Sequence, residues 1–237
     1  MIMKVLGIDS TATAASVAVV EDGKLLSEAF LNTGLTHSQT LMPLVDSVMS
    51  SLSLKCSDID LFAASLGPGS FTGVRIGVSS IKGMAAPIDA PCFGISTLEA
   101  IAYPFVNSSS LICAVMDARC AQVYTACFEA KGGLTRLTED AAMRLEDLQE
   151  ELRALNRRVI FAGDGADLTF KAMGCPEWAE VAVANNKYQR ASAVALLAED
   201  KILNTDATPV AAALLNPVYL RAPQAERELS KKNSNRV

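Results

Sequence analysis

The sequence predicts an α/β fold of two related lobes. Short apolar runs typical of buried strands alternate with segments of helical periodicity along the chain. The opening pattern then restarts. MKVLGID, a small polar turn, a strand and an Asp-Gly hairpin are matched by LICAVMD, a short turn, a strand and a Gly-containing hairpin. Asp9 and Asp117 take equivalent places 108 residues apart, as in an internal duplication. Composition agrees: half of the 237 residues are hydrophobic but only 5% are aromatic, so the core is sizeable, aliphatic and small. The expected division is an N-terminal lobe over residues 1–106, joined by the C-terminal segment 211–237, and a smaller lobe over 107–210.

Each element has a local reason. Residues 3–31 read as three strands, with EDGK a strong hairpin signal. Residues 36–53 carry apolar side chains at Leu41, Leu44, Val45, Val48, Met49 and Leu52, a helical spacing with Thr36 or Ser38 as N-cap and Pro43 in the first turn. SDIDLFAASLG is a cap and a strand. LGPGSFTGVRIGVSS is a glycine-rich loop running into a helix that ends near Ala86. APCFGIS is a strand, and TLEAIAYPF a short helix stopped by Pro104. In the second half, residues 139–155 read as helix, RRVIFAGDGA as a strand entering a turn, and ASAVALLAEDKIL as an Ala-rich helix.

Charge and cysteine usage exclude several classes. The net charge of −5 and pI near 5.0 rule out a whole-molecule basic field for nucleic acid. A local basic run remains from Arg221 onward, with Arg227, Lys231, Lys232 and Arg236, where direct nucleic-acid contact is expected if the free chain makes any. None of the six cysteines forms a C-x-x-C pair, so small buried hydrophobes are expected rather than a zinc or redox site. No signal peptide or spanning run is visible, so a cytoplasmic protein with no membrane association is expected.

The loops decide how much chemistry is available. The 66–80 stretch fails the P-loop pattern, because Gly69 and Gly73 are too close and no lysine follows. It fails the dinucleotide fingerprint too, because Thr72 stands where the third glycine belongs. What survives is a helix N-terminus with an anion-attracting end, Ser70 and Thr72 as hydroxyl donors, and Arg75 nearby. The plain alternative is a tight strand-to-helix turn in which Gly73 and Gly77 bring helix and sheet together. A vestigial nucleotide or anion site would comprise Asp9, Ser10, Thr11, Gly67, Gly69, Ser70, Thr72 and Gly73. Asp9 and Asp117 suit either a metal–phosphate complex or an Asx-turn. His37 is the only histidine, so a multi-histidine metal site is excluded and a cap or surface role is expected. The wide apolar face of helix 38–53, with little charge opposite, suggests burial on more than one side. A partner interface through Leu41, Leu44, Val45, Val48, Met49 and Leu52 is one reading, and burial within the lobe the other.

Taken in order, VLGIDSTATAASVAVVEDGK, THSQTLMPLVDSVM, SLGPGSFTGVRIGVSSIKGMA, GISTLEAIA, VMDARCAQVYTACFE and LNPVYLRAP resemble the TsaB (YeaZ) family. These are accessory subunits of the bacterial system that makes threonylcarbamoyladenosine next to the anticodon of tRNAs. The resemblance implies the two-lobed fold of actin, sugar kinases and Hsp70-type ATPases. The Asp9 turn then corresponds to the first phosphate loop, the Asp117 turn to the second, and GDGA at 163–166 to the adenosine segment. It implies a heterodimer with the catalytic paralogue TsaD, recruitment of TsaE, a homodimer when TsaD is absent, and tRNA contact through the complex. TsaD-type relatives hold a metal through an H-x-x-x-H pair, whose positions here are Thr97 and Ile101. Neither supplies an imidazole, so no catalytic or metal residue of this chain's own is expected. The expected function is a scaffold for TsaD without a cofactor of its own, beyond weak ATP or ADP binding. The alternative is a weak ATPase or small-molecule kinase. A peptidase reading finds neither a metal pair nor a base with a convincing nucleophile.

Overall fold

The computed structural model describes residues 3–221. The first lobe opens with three antiparallel strands, β1 (Lys4–Asp9), β2 (Ala15–Glu21) and β3 (Lys24–Leu31). The β2–β3 turn puts Asp22 at φ 47° and Gly23 at φ 74°, the two left-handed residues that an Asp-Gly hairpin demands. Helix α1 (His37–Ser51) leads to β4 (Leu61–Gly67), α2 (Phe71–Ala85), β5 (Pro91–Ser96) and α3 (Thr97–Ala102). β4 lies parallel to β1, and β5 parallel to β4.

The second lobe repeats the plan. β6 (Leu111–Asp117) and β7 (Gln122–Glu129) are antiparallel, followed by β8 (Thr135–Arg136) and β9 (Ala141–Arg144), both paired with β7. Then come α4 (Leu145–Ala154), β10 (Val159–Ala162), α5 (Ala166–Ala172), β11 (Ala179–Val181) and α6 (Ala184–Lys187). β10 runs parallel to β6, and β11 parallel to β10. The chain closes through α7 (Ala191–Asn204) and β12 (Val210–Ala211), which pairs with β5. The first sheet has the order β12-β5-β4-β1-β2-β3 and the second β11-β10-β6-β7-β8. Leaving β12 aside, the two orders and orientations match strand for strand, as the duplicated two-lobed α/β fold requires.

Alternation along β1 sends Leu6 and Ile8 to the face covered by α1 and α2, and Met3 and Val5 to the face covered by α7. Burial on both faces explains why KVLGID reads as a continuous apolar run. Helix α7 packs on β1 and β2, with Val194, Ala195, Leu197 and Ala198 beside Val5 and Val20. The lobe boundary expected at residue 210 is therefore corrected: α7 belongs to the first lobe. α3 packs on the second sheet, with Leu98, Ile101 and Ala102 meeting Ile112, Ala114 and Phe128 in one apolar cluster that joins the lobes.

Three local expectations also change. Pro43 lies in the second turn of α1, not the first, on the exposed side of the helix, where its missing N–H removes the bond to the Gln39 carbonyl. Thr36 is the N-cap residue, but its hydroxyl donates to the Gln39 side chain at 2.9 Å instead of capping the helix. Residues 141–144 are strand, because pairing with β7 outweighs their helical propensity. Cys92, Cys113 and Cys127 are buried as expected, Cys56 is half-buried, and Cys120 and Cys175 are exposed.

Candidate functional site

A cleft of about 620 Å³ opens between the lobes. The first lobe contributes Thr11, Ala12 and Thr13 after β1, and Gly69, Ser70, Phe71 and Thr72 at the start of α2. The second contributes Met116, Asp117, Ala118 and Arg119 after β6, Tyr124, and Asp164, while Arg221 enters from the C-terminal segment. The duplication dictates the location. Both β1 and β6 run out at their carboxyl ends beside it, where an α/β sheet presents its loops.

The first loop is engaged by its own chain. Asp9 is buried, and its Oδ1 accepts from Thr11 N–H at 3.0 Å and from Thr11 Oγ1 at 2.9 Å. The Ser65 hydroxyl donates to the other carboxylate oxygen at 2.5 Å. Burial raises the Asp9 pKa above the usual carboxylate value, against the lowering effect of these donors. Ser10 is buried, and its hydroxyl donates to the Gly73 carbonyl at 2.9 Å. The Ser70 N–H donates to the Thr11 carbonyl at 2.6 Å. A Cβ at Gly69 would lie 2.4 Å from the Thr11 carbonyl oxygen, and one at Gly73 2.1 Å from that of Ser10. These glycines therefore let two backbone segments meet, with Gly73 packed against the Ser10 carbonyl. Ser70 caps α2 by accepting from Gly73 N–H at 3.3 Å. Of the expected vestigial site, Thr11, Gly69, Ser70 and Thr72 face the cleft, while Asp9, Ser10, Gly67 and Gly73 do not line it.

The second loop forms without glycine. Asp117 is exposed and accepts from Arg119 N–H at 2.7 Å, an Asx-turn. Arg119, Cys120 and Ala121 all adopt left-handed backbone, with φ of 61°, 56° and 56°. GDGA abuts this turn: Gly165 N–H donates to the Val115 carbonyl at 3.2 Å, which sets Asp164 against the end of β6. Burial pushes the Asp164 carboxyl up to about 6, helped by the neighbouring charge of Asp117 and opposed by backbone N–H groups. Its Oδ1 is buried without a protein partner among the described residues. Sequence reasoning misses the places of Asp164 and Arg221 in the cleft. Asp164 lies inside GDGA, where no spacing sets it apart. Arg221 reads only as the start of a basic run, whose later residues lie outside the described part.

His37 begins α1, where its Nε2–H donates to the Ala12 carbonyl at 2.6 Å, tying α1 to the first loop. The expected partner face of α1 is corrected. Leu41, Val45, Val48 and Met49 are buried in the first lobe's own core, and Leu44 and Leu52 are half-buried against it. The helix instead shows solvent Met42, Asp46, Ser47 and Ser50. Beside it, α2 presents Thr72, Arg75, Ile76, Ser79 and Ser80 around a shallow hollow of about 470 Å³. No helix of the described residues is long and apolar enough to cross a membrane. Thr97 and Ile101 are both buried on α3.

Comparison with known proteins agrees with this picture. The family model TsaD, tRNA N6-adenosine threonylcarbamoyltransferase, matches residues 32–229. The chain is 31% identical over 229 residues to the tRNA threonylcarbamoyladenosine biosynthesis protein TsaB of Bacillus subtilis, covering 94% of this chain and 96% of that protein. It is 29% identical over 237 residues to the TsaB of Escherichia coli, covering 96% and 98%. The solved structure of YeaZ from Pseudomonas aeruginosa shares the fold, with a TM-score of 0.75 and 23% identity over 92% of this chain and all of that one. By sequence along almost its whole length, and by a fold that follows suit, the chain belongs to the TsaB (YeaZ) family, within the wider group that the TsaD model matches.

Proposed function

We propose that this chain serves tRNA threonylcarbamoyladenosine biosynthesis as a non-catalytic subunit that binds TsaD and supports its competent shape. The observation that carries this reading is the saturation of the first loop. Asp9, the carboxylate placed to hold a metal–phosphate complex, is spent on Thr11 and Ser65, and Gly73 is packed against Ser10. Positions 97 and 101, where TsaD-type relatives carry metal-binding histidines, hold a buried threonine and isoleucine. The family names supply the pathway.

The partner surface in this reading is the shared outer face of α1 and α2, with Met42, Ser47, Ile76, Ser79 and Ser80. Small, mostly uncharged side chains permit close helix–helix approach at little desolvation cost. TsaE would join the TsaD complex, and in the absence of TsaD the same face would pair two copies. Reconstitution of tRNA modification with TsaD, TsaE and threonylcarbamoyl-adenylate tests the role. Product formation should depend on this chain and survive Asp9→Asn. Equal product without the chain, or loss with Asp9→Asn in a folded variant, overturns it.

A second reading has one specific observation in its favour. The cleft remains open, and Asp164 Oδ1 in its wall lacks a protein partner among the described residues. Weak ATP or ADP binding there, with or without slow hydrolysis, is tested by calorimetry of the isolated chain with magnesium nucleotide. No heat at millimolar nucleotide removes it.

A further inference from the structure

After β12 the chain leaves the edge of the first sheet and crosses to the second lobe. Ala212 and Leu215 are buried in the first lobe's core, and Lys82 of α2 donates to the Ala213 and Leu215 carbonyls at 3.1 and 3.0 Å. Val218 N–H donates to the Leu66 carbonyl at 2.8 Å. The Val218 carbonyl oxygen lies 2.5 Å from where a Cβ on Gly67 would stand, so the segment lies down only on glycine. Tyr219 stacks on Phe71 with centroids 4.0 Å apart and planes at 18°. Arg75 donates from Nε to the Tyr219 hydroxyl at 2.8 Å and covers the Phe71 ring at 4.2 Å. Arg221 then reaches the other lobe, donating to the Ala118 carbonyl at 2.7 Å.

We infer that residues 216–221 form a strap that ties the Asp117–Ala121 turn of the second lobe to the first, with Tyr219 as its anchor and Arg221 as its cross-lobe bond. The turn it holds has three successive left-handed residues with side chains, a conformation that persists only where its surroundings maintain it. The lobes are also joined through the apolar cluster around α3 and by polar links such as Ser96 to Asp140 and Arg136 to Glu99, none of which touches residues 117–121, so the strap is a separate tie that acts on the cleft. It can also be released. Asn216, Val218 and Tyr219 are exposed, and the cross-lobe link is one hydrogen bond to a neutral carbonyl. Arg221 lines the cleft, so the strap is part of its wall, and opening it widens the entrance. None of this depends on which partner meets α2.

Hydrogen exchange of the full chain, read by mass spectrometry over residues 116–123, tests the strap. Amides in this turn are held by internal bonds: Ala118 to Gln122, Arg119 to Asp117, and Gln122 to Arg119. Arg221→Ala and Tyr219→Ala should each speed exchange there by about fivefold or more, the effect of losing one hydrogen bond. Residues 4–9, in the middle of the first sheet, should not change. Arg221→Lys should retain much of the protection, since an ammonium can still donate to the carbonyl. Alkylation of Cys120, exposed in the same turn, should accelerate in step. If Arg221→Ala leaves residues 116–123 unchanged, or speeds both segments equally, the strap does not hold the turn and the inference fails.

Discussion

A carboxylate at the end of a strand can hold a metal ion or close a turn, and Asp9 is committed to the second task by hydroxyls from Thr11 and Ser65. The glycines beside it are placed for contact with backbone, so Gly73→Ala should destabilise the chain by about 3 kcal/mol or more, seen as a lower urea midpoint. Asp164 makes the opposite prediction. Its folded pKa of about 6 lies above the unfolded value of 3.8, so the folded state binds the extra proton between those values. Stability from this group is therefore highest below pH 4 and falls as the pH rises to 6. Asp164→Asn should be more stable than the parent at pH 7.5, by at most about 3 kcal/mol, and the gain should vanish near pH 4 in a series of thermal melts. The glycine-rich stretch was legible as a family signature. Its role as a packing turn was legible too, since Gly73 and Gly77 do bring the helix onto the end of β1, but the partners were not, because Gly69 and Gly73 meet Thr11 and Ser10, some sixty residues earlier in the chain.

Helix α1 shows why an apolar stripe does not announce its partner. Periodicity located the helix and its apolar face, but the same stripe serves a core or an interface equally well. Here β2 and β3 lie beneath it, and the lobe uses the stripe itself. Val45→Glu would bury an unpaired charge and should unfold the lobe, at a cost of about 4 kcal/mol or more by denaturant titration. It therefore cannot report on TsaD binding. Ser79→Arg on the exposed face of α2 should leave the melting temperature within about a degree or two, since surface changes stay near 0.5 kcal/mol. In the proposed complex it should abolish co-purification with TsaD, and undiminished capture would move the interface elsewhere. Residues 141–144 make the converse point: a segment that reads as helix becomes strand because β7 offers an open edge.

At the scale of the molecule, duplication organises everything. Two sheets of the same order set equivalent loops on either side of one cleft, and the loops have since diverged. The first is filled by contacts within its own lobe, and the second makes left-handed turns from Arg119, Cys120 and Ala121 without glycine. The chain does not divide in sequence order. α7 and β12 return to the first lobe after the second is complete, and the segment beyond β12 then reaches across to Ala118. A pairing of Arg221 with Ala118, 103 residues apart, has no sequence periodicity to reveal it.

The sequence by itself determined the α/β class, the repeat, the hairpin, most helices and the family, because periodicity, turn chemistry and motif order are local properties written along the chain. The tertiary structure decided which side of α1 was already taken, what the glycines of the 66–80 stretch touch, where Asp164 and Arg221 sit, and to which lobe α7 belongs. Each of those depends on which distant surface arrives first to bury an apolar face or accept a hydrogen bond, and that competition is settled only when the chain is folded.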